Sequence, residues 1–272
     1  MKLKKITESI DEYGTPNKKY YAFDWDDNIV TMPTKIILKD EDGNEVGMST
    51  DEFANYRDII GKEDFRFNGH KIVGLSEKPF RFFKEDGEKQ FIIDAITAKP
   101  GPAWLDFVEA INNGSIFAIV TARGHHPSVL KEGCYNYIVL NYEGIDSDML
   151  IKNLEKYRDL TDHKNLSKRE MIREYLDLCR FYPVTHGEGS ALNPEEGKIK
   201  ALEKFVEYVK QVSTELQSEA FLKNKINNFF IPTIGFSDDD VKNLESVKNH
   251  FAKEPNNIIK TYSTKGGIKK EF

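Results

Sequence analysis

Three acids crowd the end of one aromatic run, Tyr20-Tyr21-Ala22-Phe23-Asp24-Trp25-Asp26-Asp27-Asn28-Ile29-Val30. Carboxylates this close repel one another, and one of them must take up a proton unless a cation neutralises the group. A divalent metal is the simplest such cation. Alternation puts Asp24 and Asp26 on one side of an extended strand, and a turn beginning at Asp26 relaxes that geometry. Taken alone, the pattern fits a solvated acidic turn equally well. Two further stretches carry reactive groups in the same setting. Ser115-Ile116-Phe117-Ala118-Ile119-Val120 runs into Thr121-Ala122-Arg123-Gly124, and the apolar stretch 228–236 runs into Ser237-Asp238-Asp239-Asp240.

Short apolar runs bounded by polar residues read as buried strands. Between them the spacing predicts helices over 103–111, 127–137, 146–158, 167–180, 194–216 and 241–251, with a closing strand near 258–262. Asn193 followed by Pro194 is a helix start. Strands alternating with helices imply an α/β fold with a doubly wound parallel sheet, and in such sheets ligands sit beyond the carboxyl ends of the strands. If the three strands are parallel neighbours, Asp24, Asp26, Thr121, Asp238 and Asp239 meet at one edge of the sheet.

The interval from Asp27 to Pro100 is too long for a simple crossover. Extended runs at 34–39 and 45–48 around Asp42-Gly43 read as a hairpin, and 51–60 reads as a short helix opened by Ser49 or Thr50. Stretches 80–83 and 91–93 read as further strands or buried loop segments. The expected organisation is one domain over 1–272, with a β-rich flap or cap at 31–99 and a helical insertion at 141–180. A strand is expected over 181–186, weakened by Pro183, and the lysine-rich tail 265–272 is expected to be mobile.

The ordered set of strand-end groups resembles the haloacid dehalogenase-like hydrolase superfamily, most of whose members are magnesium-dependent phosphatases working through a phospho-aspartate. The likeness covers Phe23 to Val30, Ile116 to Gly124, Gly197 to Ala201 and Ile234 to Leu244. It implies that Asp24 is the nucleophile and Asp26 the general acid and base, roles that suit carboxyl groups. It also implies that Thr121, with the N–H groups of Ala122 and Arg123, holds phosphate, and that Lys198 offsets charge, with Lys200 as competitor. Asp24, Asp26 (through its carbonyl), Asp238 and Asp239 would hold Mg2+, with Asp239-Asp240 as the other register. One departure concerns the positions after the second acid, commonly Gly-Thr in such phosphatases and here Asp27-Asn28. Asn28 still has hydrogen bonds to donate to substrate. Arg123 is a candidate phosphate contact, His125 and His126 read as solvated loop, and Trp25 reads as packing.

A net charge of -6 over 272 residues argues against a protein that coats a nucleic-acid backbone. It favours a phosphorylated small molecule or nucleotide as substrate over a nucleic-acid terminus. Cys134 and Cys179 match no metal-ligand spacing and read as reduced, structural thiols. No run approaches the ~20 apolar residues of a membrane span, and the basic N-terminus lacks a signal peptide's apolar centre, so the expectation is a cytoplasmic protein. The resulting reading is a phosphomonoester hydrolase; the rival is a catalytically weak or inactive binding module of the same fold that keeps the metal site.

Overall fold

The structure, a computed structural model, describes residues 19–62, 64–155, 166–187, 193–222, 228–253 and 258–272. The chain opens with β1 (Lys19–Phe23), β2 (Val30–Thr31), β3 (Ile36–Asp40), β4 (Glu45–Met48) and α1 (Thr50–Tyr56). It continues through β5 (Arg66–Phe67), β6 (His70–Leu75), α2 (Glu88–Thr97), β7 (Lys99–Pro100), α3 (Trp104–Asn112), β8 (Phe117–Thr121) and α4 (Pro127–Val139). Then come α5 (Ser147–Glu155), α6 (Lys168–Leu178), β9 (Arg180–Pro183), α7 (Pro194–Leu222), β10 (Thr233–Asp238), α8 (Val241–Phe251), β11 (Ile259–Ser263) and β12 (Lys270–Glu271).

A six-stranded sheet of order β12-β11-β10-β1-β8-β9 forms the centre, parallel throughout except where β12 meets β11. Strands of such sheets need apolar residues on both faces, and every residue of β8 is buried. Ala22 of β1 lies opposite Ala118 on one side and Phe236 on the other. The chain runs from β1 outward to β8 and β9, then crosses back to β10 and β11. The strand order therefore reverses beside β1, where α/β sheets place their ligands. Around the sheet packs a core rich in rings, including Phe23, Phe107, Phe117, Trp104 and Tyr137.

Residues 31–99 carry a separate four-stranded antiparallel sheet, β4-β3-β6-β5, with a small core of Leu38, Val46, Met48, Phe67 and Ile72. The hairpin β3–β4 turns at Asp40–Asn44, where the Asp40 carboxylate accepts the N–H groups of Asp42 and Asn44 and Gly43 takes φ 85°. Helix α1 begins at a reciprocal capping box of Ser49 and Glu52.

Two local expectations fail. Stretch 80–83 takes the loop form of its reading, a single 3-10 turn over 81–83 with Phe83 buried, whereas 91–93 lies inside α2; Phe91, Asp94, Ala95 and Ala98 are buried at helical spacing, which the run of phenylalanines obscures. The tail is ordered: Phe272 N–H donates to Thr261 O (2.9 Å), and the C-terminal strand closes the sheet edge. Helices α5 and α6, within the span 141–180, lie on the crossover from β8 to β9, with Ile172, Tyr175 and Leu176 in the main core. The helix expected over 156–158 and the basic N-terminus fall outside the described residues. Among the described residues, no helix is long and apolar enough to cross a membrane.

Asn28 is fully buried and ties three strand ends together. Its Nδ2 donates to Asp24 O (3.0 Å), Ser237 O (3.2 Å) and Ser237 Oγ (3.0 Å), while its Oδ1 accepts from Thr264 Oγ1 (2.9 Å). Replacing it by alanine strands several buried polar groups. Asn28→Ala should therefore lower stability by about 2–4 kcal/mol in urea denaturation; a loss under about 1 kcal/mol would show that the amide does not hold the strand ends.

Candidate active site

The parallel pairing of β1 and β10 brings two acids together, because Asp24 N–H donates to Ser237 O at 3.0 Å just beyond both strand cores. Asp24 is 5% exposed and Asp238 fully buried. Into this pair reaches Lys198, whose Nζ donates to Asp24 Oδ1 at 2.8 Å and to Asp238 Oδ2 at 2.6 Å. Lys198 lies one turn into α7, whose first turn is capped by Asn193 Oδ1 accepting the Glu196 N–H (2.8 Å). Its neighbour Gly197 lets that turn close on the loop after β9: a Cβ there would stand 2.8 Å from Val184 Cβ. Lys200 is exposed.

Asp238 is held further by Asn243 Nδ2, which donates to both its oxygens at 3.1 Å, and by the Asp240 N–H at 2.9 Å. Asp240 itself caps α8 by accepting the Lys242 N–H and pairs with Arg57 at 3.6 Å. Asp24, Asp238 and Asp239 each offer a carboxylate oxygen, all within 4.8 Å of one another. One ammonium does not balance three acids in a buried setting. Burial pushes Asp24 well above the usual carboxylate range, against the pull of Lys198. Burial, reinforced by Asp238, raises Asp239 to about 8. Burial opposes the charge on Lys198, but Asp238 and Asp24 outweigh it and hold the lysine above its ordinary value. An oxygen-only donor set with surplus negative charge fits a hard divalent cation such as Mg2+.

Asp26 faces a different partner. Arg123 Nε and Nη2 donate to its two oxygens at 2.8 and 2.7 Å, a bidentate clamp. The guanidinium is 1% exposed, lies against the rings of Phe83 (4.6 Å) and Phe91 (5.1 Å), and also donates to Thr34 Oγ1 at 3.2 Å. Thr34 in turn donates to Asp94 Oδ2 (2.6 Å), whose other oxygen accepts from Gln90 (2.7 Å). Arg123, expected on phosphate, is thus largely engaged with Asp26; Nη1 has no partner among the described residues. Asp27 adopts a left-handed φ of 53°, which aspartate tolerates better than most residues. Its carboxylate accepts the Thr50 hydroxyl, and burial raises it to about 6 in spite of that bond.

These groups border a cavity of about 450 Å³ lined by Asp24, Asp26, Thr121, Ala122, Lys198 and Asp239, among others. Asn28, expected on the substrate, is not among the lining residues and serves the strand ends. His125, expected in a solvated loop, is fully buried with its ring 4.9 Å from that of Phe91. Trp25 packs on Phe91 and Tyr137. Sequence reasoning missed Asn243, Thr34, Asp94 and Gln90. Asn243 stands five residues beyond Asp238 with no motif to mark it, and the helical spacing of Gln90 and Asp94 is the signal that could have found those two. Comparison with family models, curated proteins and solved structures gives no match.

Lys198→Met leaves two buried carboxylates uncompensated and should cost about 3–5 kcal/mol of stability in denaturant, with millimolar Mg2+ recovering part of it; an unchanged midpoint would remove the buried triad. Burial also depresses His125 from 6.5 to about 4. The unfolded chain then binds a proton that the folded one resists, so this group's stability contribution is full above 6.5 and is lost as pH falls toward 4. Removing it in His125→Leu should flatten the stability profile between those limits by about 3 kcal/mol; an identical slope would mean the imidazole titrates normally.

Proposed function

We propose that this chain is a magnesium-dependent phosphohydrolase of the haloacid dehalogenase-like type, cleaving a phosphomonoester through an aspartyl-phosphate. The observation that carries the reading is the junction of Lys198 with Asp24 and Asp238 beside Thr121 at a strand-order reversal. On this reading the small antiparallel sheet of residues 31–99 belongs to a cap over the strand ends.

Asp24 Oδ1 is held by Lys198, and Oδ2 makes no hydrogen bond among the described residues, so Oδ2 is the attacking atom. The new Asp24 O–P bond forms as the ester P–O bond breaks, and the leaving oxygen takes its proton from Asp26. Asp26 then removes a proton from water, which attacks phosphorus, releases phosphate and returns the Asp24 carboxylate. Thr121 and the Ala122 N–H hold phosphoryl oxygens, Lys198 offsets their charge, and Arg123 keeps the Asp26 carboxyl aimed. Asp24, Asp238 and Asp239 would hold Mg2+, which when bound supplies further neutralisation of the transferred group.

The departure at Asp27-Asn28 does not by itself support the rival, a binding module without turnover: Asn28 is engaged in joining strand ends and Asp27 in accepting the Thr50 hydroxyl.

Turnover of p-nitrophenyl phosphate should require Mg2+, stop with a chelator, and fall by about 10³-fold or more in Asp24→Asn. Folded, Mg2+-loaded protein without turnover on a broad phosphate panel, or turnover indifferent to Asp24→Asn, overturns the reading.

A further inference from the structure

The phosphoryl chemistry uses only the floor of the cavity. Its remaining wall is made by Ile36, Phe53, Ala54, Phe80 and Phe83, all from residues 31–99. Phe53 meets Phe80 edge-on at 5.6 Å and 84°, and Phe80 meets Phe83 at 6.3 Å and 76°. Phe53 and Phe80 are only half-buried. Both rings line the same cavity as Asp24, so aromatic surface borders that space. A sugar or polyol phosphate gains little from such a wall, because its hydroxyl groups lose water there without finding partners. A flat aromatic ring system gains both area and stacking.

Polar groups complete the outline. Glu195, at the start of α7, lines the same cavity and its carboxylate makes no ion pair or hydrogen bond among the described residues. Thr185 lines it too, its hydroxyl donating to Ala122 O at 2.9 Å while its oxygen lone pairs stay open to a donor. A carboxylate and a hydroxyl oxygen are acceptors for vicinal hydroxyls. Arg57 and Lys84 also line the cavity, offsetting an acid-rich floor that would otherwise repel a dianion.

Building on the proposed hydrolase reading, we infer that the substrate is a nucleoside monophosphate: phosphate on the acid and lysine floor, base against Phe53 and Phe80, ribose hydroxyls toward Glu195 and Thr185. The size agrees, since cavities of roughly 300–1,000 Å³ take ligands of this class. A tyrosyl phosphate on a peptide shares the ring but leaves the Glu195 side unused.

The test compares kcat/KM with Mg2+ for adenosine, guanosine and cytidine monophosphates against glycerol 2-phosphate, glucose 6-phosphate and phosphotyrosine. Calorimetric binding of adenosine monophosphate to Asp24→Asn runs in parallel. Nucleotides should lead the non-nucleotides by about 10- to 100-fold, the range that base stacking supports. Phe53→Leu and Phe80→Leu, which keep apolar volume but lose the ring, should remove most of that preference through KM, with glycerol 2-phosphate falling less. Turnover that depends on Asp24 but favours sugar phosphates or phosphotyrosine overturns the nucleotide assignment and leaves the hydrolase reading standing. No turnover, with ring-dependent nucleotide binding to Asp24→Asn, sinks the hydrolase reading and keeps the pocket assignment. Neither turnover nor binding ends both.

Discussion

One buried ammonium between two buried carboxylates sets the terms for the rest of this molecule. Taking such charges out of water costs several kcal/mol for each ion, and their attraction repays the cost only when geometry is tight and the other lone pairs are satisfied. Asn243 and the Asp240 N–H satisfy those of Asp238. The close approach of Gly197 to Val184 sets the first turn of α7 so that Lys198 reaches both acids. The apolar strands beneath supply the rigid frame. Every neighbour contact among β10, β1 and β8 is parallel, so the three strands deliver their polar ends to the same edge.

A second polar chain runs from that edge into the smaller part of the structure. Asp26, Arg123, Thr34, Asp94 and Gln90 form consecutive hydrogen bonds, so Asp26 is joined to α2. The two rings against the guanidinium compensate part of its desolvation through their π-faces. Around Phe91 the packing is less generous to polar atoms: Trp25 Nε1, Arg123 Nη1 and both nitrogens of His125 are buried without a well-formed hydrogen bond among the described residues. Buried polar atoms of this kind are costly to leave unpaired.

The two networks divide the labour at the cavity. The acids at the ends of β1 and β10, with Lys198 of α7, gather the charge, whereas residues 31–99 supply much of the apolar wall. That segment has its own small core and its own capping box. It also lends Thr50 to Asp27 and Arg57 to Asp240, so the wall and the floor share polar contacts.

By itself the sequence determined the strand ends. Runs such as Phe117 to Val120 are apolar at every position and can only be buried strands or helix, and acids placed after them have no packing role to explain them. The hairpin at Asp42-Gly43 and the start at Asn193-Pro194 were legible because turn and cap chemistry is local. What tertiary structure decided was which side chains meet. Lys198 and Lys200 differ by two positions on one helix, and only the seat of α7 selects the one that reaches Asp24, 174 residues away. The same holds for Arg123 taking Asp26, for Asn28 spanning three strand ends, and for His125 lying inside. Patterns along a chain report period and burial. Partners across it depend on how strands pair and helices pack, and that information belongs to no single stretch.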